Sequence, residues 1–318
     1  MLQNTTAEYL EILTKDCAAP LEADADFIVA NGNAIPKIFN NKPVATYKQW
    51  TIDTLLQNNM AEYVPGTEFE DGDLELEDIA YTCQPYGQKM KVVDRNRVAN
   101  ELETKGKALM TQSYRNLDQR LATVLSSGAN FGHTYAGVAS GTPTSAQFLR
   151  WDVNGSTPIE DIEKYKTEIA SQTGLEPRHM IISKDVFNKL KANAEIKATM
   201  RTDADKIVTP EVLARFFDMD AVYVMKSVVN TAKRGATPAK GFILEKTVLI
   251  YHRGMDDELA PACLKAFFNT EYGNQTNGAI LEGYRDENLK SDIVRSIQDF
   301  VIKVTMKDLG TLLTDVIS

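Results

Sequence analysis

Histidine and cysteine are scarce in this chain, three of each among 318 residues. Cys17, Cys83 and Cys263 lie far apart and are odd in number, which fits neither a disulfide framework nor a zinc site of closely spaced ligands. His133, His179 and His252 are equally scattered, so any joint catalytic or metal site must be built by the fold. Basic charge is also short: 35 Lys and Arg stand against 44 Asp and Glu, a net charge of −9. Tight, sequence-independent DNA binding needs the opposite balance, although a modest inward-facing basic patch stays compatible with it. No apolar run approaches the roughly 20 residues that cross a bilayer, and MLQNTTAEYLEILTKD lacks the basic-then-apolar layout of a secretory signal. A soluble chain made and kept in a cytoplasm is expected, where the sequons at Asn4, Asn154 and Asn274 carry no glycan.

What is present is enough apolar content, 43%, for a sizeable core divided between two lobes. Residues 1–55 hold short apolar clusters such as Phe27-Ile28-Val29 and Ile35-Pro36-Lys37-Ile38-Phe39, too poor to form a core, and are expected to lie extended over something else. Asp71-Gly72, between Glu68-Phe69-Glu70 and Asp73-Leu74-Glu75-Leu76, reads as a hairpin turn. Ile79 to Val93 reads as a strand interrupted at Pro85 and Gly87. A two-stranded arm with so little apolar surface should project. From Asp94, a possible N-cap, Val98, Leu102, Leu109, Met110, Leu117, Leu121, Val124 and Leu125 recur at helical spacing up to Gly128. That predicts about 32 residues, roughly 48 Å of helix at 1.5 Å per residue.

Ser156 or Thr157 can cap a helix that opens on Pro158, carries Ile159, Ile162, Tyr165 and Ile169, and ends at Gly174. Met180-Ile181-Ile182 reads as a strand, Ser183 as the next cap, and Thr209-Pro210-Glu211 as another. Ala221 to Met225 is a further strand, and Gly241 to Tyr251 a strand pair around Glu245-Lys246. Together, 158–254 reads as one α/β lobe. Phe300, Ile302, Val304 and Met306 alternate as in a half-buried strand, and Leu309 to Leu313 reads as a turn and a short apolar end.

The search for chemistry is mostly negative. His179 is most simply a polar loop residue between helix and strand, and His133 an exposed residue among glycines. Gly128-Ala129-Asn130-Phe131-Gly132 lacks the lysine and hydroxyl of a P-loop and follows a helix instead of a strand. The acidic stretch from Glu68 to Asp78 fails the EF-hand spacing and reads as a solvated tip rather than a Ca²⁺ site. On the long helix, Arg95, Arg97, Lys105, Lys107, Arg115 and Arg120 face Asp94, Glu101, Glu103 and Asp118. This is a solvated face or, alternatively, a weak contact for packaged nucleic acid. Nothing local depresses the pKa of Lys226 or Lys246. No catalytic, cofactor-binding or metal residue is assigned.

Several ordered motifs carry a family resemblance. They are Tyr86-Gly87 with Val93-Asp94-Arg95 and Asn100; Trp151-Asp152 with Ser156-Thr157-Pro158-Ile159-Glu160-Asp161-Ile162; and Thr173-Gly174-Leu175-Glu176-Pro177 with Met180-Ile181-Ile182-Ser183 and Val186-Phe187. Val208-Thr209-Pro210-Glu211, Leu213-Ala214, Phe216-Phe217, Val229-Asn230-Thr231-Ala232 and Asp308-Leu309-Gly310 complete the set. In this order the chain resembles the major capsid proteins of tailed bacteriophages, with the Hong Kong 97 fold. Arg178-His179 departs from the Asn common after Pro177.

The resemblance implies an α+β capsid fold divided into an extended N-arm (1–55), a projecting E-loop hairpin (56–93), a spine helix with the first part of a peripheral domain (94–157), an axial domain (158–254) and returning peripheral strands (255–318). It implies a non-enzymatic virion protein, assembled in the host bacterial cytoplasm as hexamers and pentamers of an icosahedral shell around double-stranded DNA, without cofactor or membrane. Its implied partners are other copies of itself, a separate scaffolding protein, a portal, decoration proteins, and the packaged DNA through weak contact. Lys89, Lys91 and the acidic tip would then meet neighbouring subunits. An encapsulin-like compartment is the alternative within the fold; a soluble α/β enzyme using His179 or His252 is the alternative outside it.

Overall fold

The computed structural model describes residues 33–58, 75–96, 101–199, 208–233, 235–271 and 279–318, with 17, 27–30, 60, 62 and 68 besides. The turn at Phe27–Ala30 has all four side chains buried. Two strands follow, β1 (Lys37–Asn40) and β2 (Val44–Trp50), then the short helix α1 (Ile52–Leu56). The chain returns as β3 (Leu76–Thr82), antiparallel to β2 from Val44↔Thr82 to Trp50↔Leu76. The ladder seen among the described residues is built from β2 and β3; residues 69–74, around the turn expected at Asp71-Gly72, lie outside them. A turn signal specifies only local pairing, whereas this ladder closes over 25 intervening residues.

Next, β4 (Gln84–Val93) runs unbroken through Pro85 and Gly87. It pairs with a long later strand, Ser291–Val304, along its whole length. Proline is tolerated because β4 is an edge strand of that sheet. The helix α2 (Glu101–Leu125) spans 25 residues, about 37 Å; 97–100 lie outside the described residues. Asp94 sits in a 3-10 turn, and its carboxylate is taken by Arg285, with both guanidinium nitrogens at 2.6 and 2.5 Å. The pair is bidentate and charge-assisted; the helix start that Asp94 was expected to cap borders the undescribed residues 97–100.

Beyond α2 come β5 (His133–Val138), β6 (Gln147–Leu149), α3 (Pro158–Thr173), β7 (His179–Ser183), α4 (Lys184–Leu190), α5 (Ala194–Thr199), α6 (Pro210–Phe216) and β8 (Ala221–Met225). Gly174 takes φ 68° and closes α3 as a left-handed C-cap. The predicted caps divide. Thr209 accepts from Val212 N at 3.3 Å. Thr157 and Ser183 hold the cap positions of α3 and α4 without a side-chain cap bond. Ser156 Oγ instead donates to Trp151 O, and Ser183 Oγ accepts from Thr247 N.

The chain closes with β9 (Val228–Asn230), β10 (Lys240–Phe242), β11 (Val248–Tyr251), β12 (Leu264–Asn269), β13 (Ile280–Asp286), β14 (Ser291–Val304) and β15 (Gly310–Thr314). The strands on either side of Glu245-Lys246 do not pair with each other. β10 pairs with β9, while β11 lies between β7 and β15. β15, read from sequence as a turn and short end, is a central strand of a six-stranded sheet ordered β6-β5-β15-β11-β7-β8. That sheet therefore draws on 133–149 and 310–314 as well as on 158–254. The second large sheet runs β1-β12-β14-β13, with β4 also on β14.

Two large cores divide the six-stranded sheet by the strand period of two. Met180, Ile182, Val248, Ile250 and Leu313 face the core under α3, α4 and α6. Ile181, Leu249, Tyr251 and Leu312 face the other, shared with α2 and the Phe27–Ala30 turn. Burial on both faces explains the unbroken apolar runs of β7, β11 and β15.

Candidate assembly surfaces

The N-terminal segment, expected to lie extended over something else, is packed between α2 and the six-stranded sheet. Phe27, Ile28, Val29, Ala30, Ala34 and Ile35 are all buried against α2 and the six-stranded sheet. Polar groups from both sides hold its backbone. Asp118, at the centre of α2, accepts from Val29 N at 3.2 Å and from Ile28 N, and Ser227 Oγ donates to its other oxygen at 2.5 Å. Arg253 Nε donates to Asn33 O at 2.6 Å, Tyr251 OH to Ala34 O at 2.5 Å, and Lys37 Nζ to Ala30 O at 2.6 Å.

Asp118 was grouped with the solvated charges of the long helix, yet it is fully buried. Burial pushes its pKa up to about 6 against the pull of three donors. The spacing Tyr114, Leu117, Asp118, Leu121 already puts it on the apolar stripe. The other expected charges behave as a surface: Lys105 pairs with Glu101 at 2.7 Å and Lys107 with Glu103 at 2.6 Å, each one turn along. Such exposed pairs add little stability. Lys89 and Lys91 are exposed on β4, where lysines guard an open strand edge.

The hairpin is anchored at its root. Tyr81 stacks on Phe267 with ring centroids 4.3 Å apart, and Tyr47 tilts against the same ring at 4.8 Å. Cys83 N donates to Pro43 O and Lys303 Nζ to Ala80 O, both at 2.7 Å. Lys265 is buried beside Tyr47 and donates to Glu258 O at 2.6 Å; burial lowers its pKa to about 8. The hairpin exposes Val44 beside the root, Leu76 at the far end of the ladder and Leu56 beyond it, and Met60 is almost fully exposed. Of the acidic stretch from Glu68 to Asp78, residues 69–74 lie outside the described residues.

The histidines do not assemble a site. His179 is the first residue of β7 rather than a loop residue. Its ring stacks on Tyr223 at 6.2 Å and tilts against Tyr251 at 6.0 Å. Burial holds its pKa down at about 4, so it is neutral and packed as an aromatic. His252 Nδ1 lies 3.2 Å from Glu176 O. His133 sits on the other side of the sheet beside Glu168 and Gln172. Gly128-Ala129-Asn130 is a 3-10 turn before β5, with no helix to present a phosphate cradle. All three cysteines are buried, and no metal-binding cluster occurs among the described residues. Sequence reasoning missed Asp118, Arg285 and the donors on Asn33 and Ala34, since all of these contacts are long-range.

Residues 142–260, most of the lobe around the six-stranded sheet, match the phage major capsid protein E family. A phage-related protein from Bordetella bronchiseptica RB50 is similar in structure at 17% identity and TM-score 0.70, over 96% of this chain and 97% of the other. A virus-like particle from Pyrococcus furiosus is similar at 12% identity and TM-score 0.52, over 96% and 98%. The mature capsid of bacteriophage PhiM1 is similar at 13% identity and TM-score 0.53, over 88% and 85%. No curated protein matches the sequence. The fold is thus the capsid fold that the motif order implied. The match to a phage capsid family covers 142–260, and the likeness of fold extends over nearly the whole chain.

Proposed function

We propose that copies of this chain assemble as hexamers and pentamers into an icosahedral head that encloses double-stranded DNA. The observation that carries this reading is the match of 142–260 to a phage capsid family, on a chain with a capsid fold along nearly its whole length. The physics agrees. A two-stranded hairpin that exposes Val44, Leu56, Leu76 and Met60 gains burial only against another surface. Repeated self-complementary contacts close a shell, and many weak ones together hold it.

Within this reading the chain divides into an N-arm (1–55), an E-loop (56–93), a spine helix with the first peripheral segment (94–157), an axial domain (158–254) and returning peripheral strands (255–318). The observed pairing extends the E-loop ladder back to Val44 and the axial sheet out to β5, β6 and β15. A separate scaffolding protein, a portal and decoration proteins complete the partners, with weak contact to packaged DNA. An encapsulin-like compartment would share the fold; the phage-family match favours the phage head. Expression with and without the neighbouring scaffold, followed by electron microscopy, tests the proposal. Uniform shells are expected, and a stable monomer or dimer under every condition refutes it.

A further inference from the structure

Two of the cations expected to meet nucleic acid along α2 are neutralised locally, Lys105 by Glu101 and Lys107 by Glu103. A second set is not. Residues 221–244 carry Lys226, Lys233, Arg234 and Lys240 without a single carboxylate, in a chain whose net charge is −9. Lys226 lies at the foot of this stretch, near Glu211. The rest belong to the hairpin of β9 and β10, paired from Phe242↔Val228 to Lys240↔Asn230; Arg234 lies outside the described residues. Lys233 and Lys240 are exposed, and neither forms an ion pair among the described residues. One carboxylate approaches the base of the hairpin: Glu245 Oε1 would stand 3.7 Å from a Cβ built on Gly241.

This hairpin is ordered although little packs on it. Every described residue from 228 to 242 is exposed or half-buried. Its own polar groups hold the tip: Asn230 Oδ1 accepts from Ala232 N at 3.2 Å and from Ala239 N at 2.9 Å. Thr231 N donates to Ala239 O at 2.9 Å and Ala236 N to Lys233 O at 3.0 Å, around Gly235 at φ 89°. Exposed cations with no local partner, on a chain otherwise rich in acid, attract a polyanion. The side chains decide which kind. Between Lys233 and Gly241 the described residues are Gly, Ala, Thr, Pro and Lys, too small to seat the apolar side chains of a peptide, while Val228 and Phe242 stay at the base. Phosphates ask only for cations, hydroxyls and backbone N–H groups, and a two-stranded ribbon fits the major groove of a duplex. We propose that the β9–β10 hairpin is the surface by which this chain contacts the phosphate backbone of duplex DNA, with Lys233 and Lys240 as its cations. The proposal rests on the shell reading above and gives the weak DNA contact named there a place. The acidity of the remaining chain keeps each contact weak, and repetition over many copies adds them up.

The test is fluorescence anisotropy of a labelled DNA duplex of about 20 base pairs, titrated with full-length unassembled chain at rising KCl. With two to four phosphates neutralised, the logarithm of the association constant should fall against that of the salt concentration with a slope of about −2 to −4. Lys233→Gln with Lys240→Gln should weaken binding at low salt by about tenfold or more. Its Tm should not change, because both side chains are exposed. Lys105→Gln with Lys107→Gln, on α2, should bind as the wild type does. No binding at low salt, or equal losses in the two double variants, overturns the proposal. Poly-glutamate that competes as well as DNA at equal charge also overturns it, and assigns the hairpin to an acidic protein. Shells are scored separately by electron microscopy of the wild type. Shells without hairpin-dependent DNA binding overturn this proposal alone; hairpin-dependent binding by a chain that never forms shells supports the contact and overturns the shell reading.

Discussion

Asp118 allows a quantitative test of how the arm is held. Its carboxylate is fully buried, and its three donors are the uncharged Val29 N, Ile28 N and Ser227 Oγ. Burial outweighs them and raises the pKa from 3.8 to about 6. The folded chain therefore keeps a proton between about pH 4 and 6 that the unfolded chain has lost. The stabilisation from this proton is complete below pH 4 and is lost as pH rises through 6. At 1.36 kcal/mol per pH unit, the loss comes to about 3 kcal/mol.

Asp118→Asn keeps an oxygen for the two amides and offers Ser227 an amide donor, but cannot ionise. It should match the wild type near pH 4 and exceed it by up to about 3 kcal/mol at pH 7.5. Urea unfolding of unassembled chain at both pH values reads the difference directly. Asp118→Ala should instead destabilise at both, by about 2 kcal/mol or more, since each buried amide left without an acceptor costs about 1–3 kcal/mol. If Asp118→Asn is less stable than wild type by the same amount at pH 4 and 7.5, the argument from burial is wrong and the charge itself holds the arm.

Two further outcomes rest on close packing. Gly137 in β5 approaches β15 so nearly that a Cβ there would stand 2.1 Å from Asp315 O; Gly137→Ala should cost more than about 3 kcal/mol, enough to leave the chain largely insoluble on expression. The three thiols are buried, with the pKa of Cys83 pushed up to about 11 and that of Cys263 higher still by burial; none should react with a disulfide reagent at pH 8 until denaturant is added, and one fast thiol would contradict the packing.

Legibility tracked the range of the interaction. The helix α3 was readable almost to the residue, because Pro158 and Gly174 mark its ends and its stripe repeats every three to four residues. The spine helix was readable for the same reason. The pairing of Tyr47 with Ile79 was not readable, because it depends on chain closure that no local pattern encodes. The apolar run of β15 was visible, but not that it would lie between β5 and β11, from segments some 175 and 60 residues earlier. A cap residue was readable as a position and not as a bond, since Thr157 and Ser183 stand at helix starts without bonding them.

The same contrast in range accounts for how one chain can be both stable and ready to assemble. The arm is held by buried apolar side chains, by the acceptor Asp118 on α2 and by the donors Tyr251 on β11 and Arg253, so it ties the six-stranded sheet to α2 within one chain. The hairpin of β2 and β3 is anchored at its root, where aromatic rings bury it in the second sheet, and more lightly at its far end, where Ile52 is half-buried against the main core. A protein stable only as a monomer would gain by burying Leu56, Leu76 and Met60 in itself, and a flexible tail would not need Tyr47 and Tyr81 so firmly packed. A fixed root with an apolar, lightly seated tip is the arrangement expected when the remaining burial comes from another copy.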